Sequence, residues 1–85
     1  MQFLQTKQFK KDRKKLSKAL QKKMFERLDL LMQNPSNPLL NNHDLNYPWK
    51  GCKSINISGD IRLIYKEGHP IYRLHRVGSH SELYS

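Results

Sequence analysis

The chain has 85 residues, a single cysteine and a formal net charge of +9, with a sequence pI near 9.9. A domain of that length buries only roughly 60% of its unfolded surface, which leaves no room for a second domain or a deep cofactor fold. No apolar run approaches the ~20 residues of a membrane span and the N-terminal residues show no signal-peptide pattern, while a lone Cys52 rules out an internal disulfide, so a reducing, cytoplasmic setting is expected.

Met1–Gln5 reads as a short N-terminal strand. Thr6 is placed to cap a helix beginning at Lys7. Apolar residues then recur at Phe9, Leu16, Leu20, Met24, Leu28, Leu31 and Met32, the spacing of one helical stripe. Ser17 divides this stretch into helices 7–15 and 18–33, because serine is a natural cap. Asn34-Pro35 ends the second helix. Residues 1–33 carry ten of the Lys/Arg and three of the Asp/Glu, mostly off the apolar stripe, so the basic surface is concentrated on this hairpin. Residues 34–48 form a polar loop. From Trp49 onward the period changes to two: Ile55 and Ile57 alternate with polar residues, Ser58-Gly59-Asp60 turns the chain, Ile61–Lys66 is a second strand, Glu67–Pro70 is a hairpin turn and Ile71–Arg76 is a third strand. The expected fold is α+β: a short N-terminal strand and a two-helix hairpin packed on a twisted antiparallel sheet of about four strands. The only helical segment expected is the lysine-rich hairpin, with no helix-turn-helix.

A strongly basic domain points to a polyanion or an acidic protein as partner. Four histidines, His43, His69, His75 and His80, match no zinc spacing, so neither a metal nor another cofactor is expected. Without a metal, histidines in a basic protein suit proton transfer on an RNA phosphodiester. A base activates the 2′-hydroxyl, an acid protonates the leaving 5′-oxygen, and cations hold the phosphate charge. Histidine serves either role near neutral pH, and the arginine fork binds two phosphate oxygens at once. Taken singly, each residue also has an ordinary structural role open to it. His43 and His69 are solvated loop residues, and alternation turns His75 away from Arg76. Arg62 is half of a surface ion pair, Trp49 is a core or rim anchor, His80 is a structural residue after a Gly-Ser turn, and Tyr84 pins the terminus.

Together, Trp49-Lys50-Gly51, the strand Gly59-Asp60-Ile61-Arg62-Leu63-Ile64-Tyr65-Lys66 and the tail Arg76-Val77-Gly78-Ser79-His80-Ser81-Glu82-Leu83-Tyr84 resemble the RelE/YafQ family of bacterial toxins. His43-Asp44-Leu45, Phe9-Lys10-Lys11-Asp12 and Asp29–Pro35 extend the likeness across essentially the whole chain, closest to the YafQ branch. The resemblance implies the toxin half of a type II toxin–antitoxin pair: a metal-independent endoribonuclease that cleaves mRNA on the ribosome and is silenced by a cognate antitoxin, the free toxin being monomeric. It assigns His43, Asp60, Arg62, Arg76 and His80 to the catalytic set, with Asp60 orienting or tuning a histidine, and Trp49, Lys50, Lys53 and Tyr84 to RNA contact. The chain departs from the branch at Asn56, where a histidine is usual, and at Ile61, where an aromatic is frequent. Two other readings stand beside this one. A ParE-type toxin of the same fold would act on DNA gyrase by protein contact, which has no need of two histidines and an acid. A non-catalytic nucleic-acid-binding domain is the second.

Overall fold

The computed structural model describes residues 2–84. Their order is β1 (Gln2–Gln5), α1 (Lys7–Lys15), α2 (Lys18–Gln33), β2 (His43–Asp44), β3 (Lys53–Ser58), β4 (Ile61–Lys66), β5 (Ile71–Ser79) and α3 (His80–Tyr84). Met1, the first residue of the expected N-terminal strand, lies outside the described residues.

Both long helices begin where the capping residues predict. Thr6 Oγ1 accepts from the Phe9 N–H at 3.1 Å and Ser17 Oγ accepts from the Leu20 N–H at 3.1 Å, each satisfying a donor with no partner inside the helix. Thr6 also ties the hairpin to the sheet, donating from its N–H to the Leu74 carbonyl and from its hydroxyl to the His75 carbonyl. Ser17 has only the cap, so Ser17→Ala is expected to cost about 1 kcal/mol. A thermal melt reads this as a Tm lower by roughly 4–8 °C.

The sheet has five strands in the order β1-β5-β4-β3-β2. Two features depart from the four-stranded antiparallel sheet expected. Residues 43–44, expected as loop, pair with Ser54 and Lys53 as a two-residue edge strand, too short for any alternation to be visible. The N-terminal strand pairs in parallel with β5, Gln2 opposite Ile71 through Gln5 opposite Leu74, a partner some seventy positions away that no local pattern encodes. The last strand also runs to Ser79 rather than Arg76, and a third helix follows it.

One face of the sheet is covered by α1 and α2. Phe9, Met24, Leu28, Leu31, Ile55, Ile57, Leu63, Tyr65, Tyr72, Leu74 and Val77 are buried between the layers. Alternation therefore sends Ser54 and Asn56 of β3, and Arg62, Ile64 and Lys66 of β4, to the opposite face. In β5 the inward positions are 72, 74 and then 77. The extra residue is a β-bulge: Ile64 faces Arg76, while the next residue, Tyr65, faces Leu74, leaving His75 unpaired. On the outer face α3 covers only part of the sheet, burying Leu83 against Cys52 and Ile64 with Leu45, Trp49 and Tyr84 packed around them. The candidate site lies on this outer face, around α3.

Candidate active site on the open face of the sheet

Cross-strand partners in an antiparallel sheet share a face. One row across the outer face reads His43, Ser54, Ile64, Arg76, and the adjacent row reads Asn56, Arg62, Gly78. His43 and Arg62 thus lie on the same outer face, their Cα atoms roughly 12 Å apart by sheet spacing and strand rise, with Ser54 and Ile64 buried between them under α3. His80 enters two residues beyond Gly78, at the first position of α3.

A capping box positions α3. The Glu82 carboxylate accepts from the Ser79 N–H at 2.9 Å and from the Ser79 hydroxyl at 2.9 Å, and Ser79 Oγ in turn accepts from the Glu82 N–H at 3.3 Å. Gly78 leaves room for this fold-back: a Cβ there would stand a tight 3.1 Å from Glu82 Oε1. The other end of α3 is held by the Trp49 indole, whose N–H donates to the Leu83 carbonyl at 3.2 Å. Fixed at both ends, α3 sets His80 against Tyr84, four residues on, with ring centroids 4.6 Å apart and the planes tilted by 34°. Burial pushes the Tyr84 phenol up and the charge of Arg62 pulls it partway back. Arg62 donates through one arm to the Gly59 carbonyl at 2.7 Å, across a turn that Gly59 closes with φ of 51°.

His43 Nδ1 stands 2.7 Å from the Asn41 carbonyl oxygen, made available by Asn41 in the left-handed region at φ 45°. A carbonyl only accepts, so Nδ1 carries the proton and Nε2 of the neutral ring is left with its lone pair. That is the tautomer of a general base.

The structure brings His43, Arg62, His80, Tyr84 and Trp49 to one face. Four other candidates lie elsewhere. Asp60 is exposed in the β3–β4 turn and makes no hydrogen bond or ion pair among the described residues, to a histidine or otherwise. Lys50 is exposed in the turn after Pro48. Lys53 lies across from Tyr65, on the helix-covered side, where its ammonium meets Glu67 at 3.3 Å and Asp44 at 4.0 Å. Arg76 turns to the helix hairpin: Nε and Nη2 donate to Asp12 at 2.6 and 3.2 Å, as the fork on a carboxylate.

Asp12 and Asn56 carry further structural weight. Asp12 is 5% exposed and also accepts from Gln8 and from the Val77 N–H at 3.2 Å, closing the edge of β5 beyond the reach of β1. Burial raises its pKa, but hydrogen bonds from Arg76, Gln8 and Val77, with the charge of Arg76, outweigh burial and hold the carboxyl below its usual range. Arg76 is in turn pushed further up, its own hydrogen bond to Asp12 and the charge of that carboxylate outweighing burial. The signal for Asp12 was present: it sits three residues after Phe9 and four before Leu16, on the apolar stripe itself. The buried Oδ1 of Asn56 has no partner among the described residues.

The family profile described as bacterial toxin of type II toxin–antitoxin system, YafQ, matches residues 1–85. The chain belongs to the YafQ family. Among solved structures, YafQ from E. coli strain BL21(DE3) is 29% identical, with a TM-score of 0.84 over 98% of this chain and 97% of that one. The E. coli DinJ-YafQ toxin-antitoxin complex matches at 28% identity and TM-score 0.81, over 98% and 96%. The YoeB-YefM complex from Staphylococcus aureus, at 21% identity and TM-score 0.77 over 92% and 94%, shares the fold. No curated relative matches at the sequence level. Membership fits the five-stranded sheet and helix hairpin described above, and no helix among the described residues is long and apolar enough to cross a membrane.

Proposed function

We propose that the chain is a metal-independent endoribonuclease that cleaves mRNA on the ribosome and so inhibits translation. The observation that carries this reading is the presence of His43, Arg62, His80 and Tyr84 on one face of the sheet in a YafQ-family fold. In the proposed step, His43 Nε2 takes the proton of the 2′-hydroxyl, and the O2′–P bond forms as the P–O5′ bond breaks. The protonated His80 ring gives its proton to the departing 5′-oxygen, leaving a cyclic phosphate and a free 5′-hydroxyl. Arg62, whose fork is only partly engaged by Gly59, holds the phosphate oxygens. Arg76 joins it only with the donors that Asp12 leaves free. Tyr84 and Trp49 offer aromatic surface to the flanking bases, and the exposed Lys50, next in sequence to Trp49, offers a further cation. Asp60 adds charge beside Arg62 rather than orienting a histidine directly.

The lysines of α1 and α2, nearly all exposed, are suited to ribosomal RNA phosphates, giving sequence-neutral and salt-sensitive affinity. The same positive surface suits an acidic or amphipathic antitoxin that folds over the toxin, as the similarity to a DinJ-YafQ complex supports.

The test is cleavage of an mRNA on programmed ribosomes, with a companion message carrying a 2′-deoxynucleotide at the cut position. The expected result is a cut in the ribonucleotide message alone, in the presence of a chelator. Cutting of the deoxy-substituted message would overturn 2′-hydroxyl attack. Intact message together with inhibition of gyrase supercoiling would assign the protein to the ParE-type class instead.

A further inference from the structure

Beyond Trp49, the outer face of the sheet carries a second basic cluster that the cleavage chemistry does not use. Lys66 and Arg73 are direct cross-strand partners on β4 and β5, and both are exposed. Like charges directly opposite one another weaken a strand pair, so the fold gains nothing from this arrangement. Neither has an ion-pair partner among the described residues. The one nearby acid, Glu67, is committed to the other side, with its oxygens on Lys53 at 3.3 Å and the Tyr72 hydroxyl at 3.1 Å.

Lys66 and Arg73 line a shallow depression of about 260 Å³ with Leu4, Glu67, Gly68 and Ile71. Leu4 and Ile71 remain half exposed there, giving the basic pair an apolar floor. His75 lies on the Trp49 side, its ring centroid 6.2 Å from the indole. Burial first, then the charges of Arg73 and Lys66, push its pKa down, so the ring is neutral at pH 7 and adds a flat surface beside Trp49. Trp49 therefore joins the two regions, touching α3 through Leu83 and the basic cluster through His75. Along β4, Lys66 is four residues from Arg62, about 13 Å at the rise of a strand.

We infer that Lys66 and Arg73 form a second phosphate subsite for the single-stranded RNA substrate, holding the backbone of nucleotides that run from the cleavage site across Trp49. Basic side chains spaced along an aromatic surface are what a single strand requires, each charge taking a phosphate and each ring a base. A duplex gains nothing from the aromatic surface between them. The inference rests on the ribonuclease reading for its substrate.

The test uses Lys66→Ser/Arg73→Ser in the whole protein and fluorescence anisotropy with labelled oligoribonucleotides made uncleavable by a 2′-deoxy sugar. One oligomer is long and one is confined to the nucleotides at the cut. The wild type is expected to bind the long oligomer more tightly. The double variant should lose at least tenfold in affinity for the long oligomer and little for the short one. Its salt slope for the long oligomer should fall by about 0.7 for each cation removed. Its melting temperature should hold or rise as the repulsion is relieved. Equal losses for both lengths or no loss at all would each overturn the subsite. A wild type that cleaves nothing on ribosomes yet keeps the length-dependent binding would sink the ribonuclease reading and leave the subsite standing.

Discussion

Replacing His80 with alanine should lower single-turnover mRNA cleavage on programmed ribosomes by about 100- to 10,000-fold, the range a positioned proton-transfer group supplies. Stability should barely change. His80 is exposed, its main contact is the Tyr84 ring, and the capping box that holds α3 uses Ser79 and Glu82 instead. A surface change of that kind stays within about 0.5 kcal/mol. The combination matters: a large loss of rate with an unchanged melt separates a proton donor from a residue that merely pins the terminus. The pH profile adds a second readout. With His43 as base and His80 as acid, cleavage should follow a bell, and His80→Ala should remove its alkaline limb. Full activity in His80→Ala would refute the assignment.

Arg76→Ala is expected to cost about 3 kcal/mol, toward the low end of what breaking a buried pair costs because the arginine side chain is 24% exposed and partly screened. The loss arises mainly from Asp12, left almost fully buried with its charge unpaired. In a domain of this size that lowers Tm by roughly 10 °C or more. Adding Asp12→Asn should restore much of it, since a neutral carboxamide still accepts from the Val77 N–H. The double variant then reports on catalysis: it is folded but lacks the guanidinium, so its residual cleavage gives the share of Arg76 in holding phosphate. If Arg76→Ala melted like the wild type, the Asp12 pairing would have no structural weight. The pair also sets an acid limit. The folded pKa of Asp12 lies below the 3.8 of the free group, so its contribution is complete above about pH 4 and is lost as the pH falls through the lowered value. Asp12→Asn should flatten the stability curve in that window.

Asp12 and α3 illustrate two ways in which a sequence signal is passed over. Asp12 occupies a gap in the run Phe9, Leu16, Leu20, Met24, at a position where a helix can only face the core. A lone acid there demands a buried cation, though which one depends on the path of β5 sixty-four residues later. Ser79-His80-Ser81-Glu82 has the spacing of a capping box and so encodes a helix start locally, although the preceding strand invites reading it as a loose tail. Its five residues make too short a helix to stand alone, and Leu83 and the Trp49 hydrogen bond secure it.

What the chain determines by itself is everything set by near neighbours. The two helices begin at Thr6 and Ser17 because those hydroxyls reach the next turn, and β3 and β4 alternate because Ile55, Ile57, Leu63 and Tyr65 share one face. The placement of positive charge on α1 and α2 follows from the same periodicity. What the tertiary structure alone decided depends on partners far apart in the chain. The parallel seat of β1 against β5 is one example, and the bulge at His75 is another. The third is the division of the candidate site: a two-residue strand brings His43 to the face that holds Arg62 and His80, while Asp12 draws Arg76 to the hairpin and Glu67 draws Lys53 to the far side. Side-chain charge is legible in any sequence. Which opposite charge satisfies it is settled only when the packed sheet has put the competitors within reach.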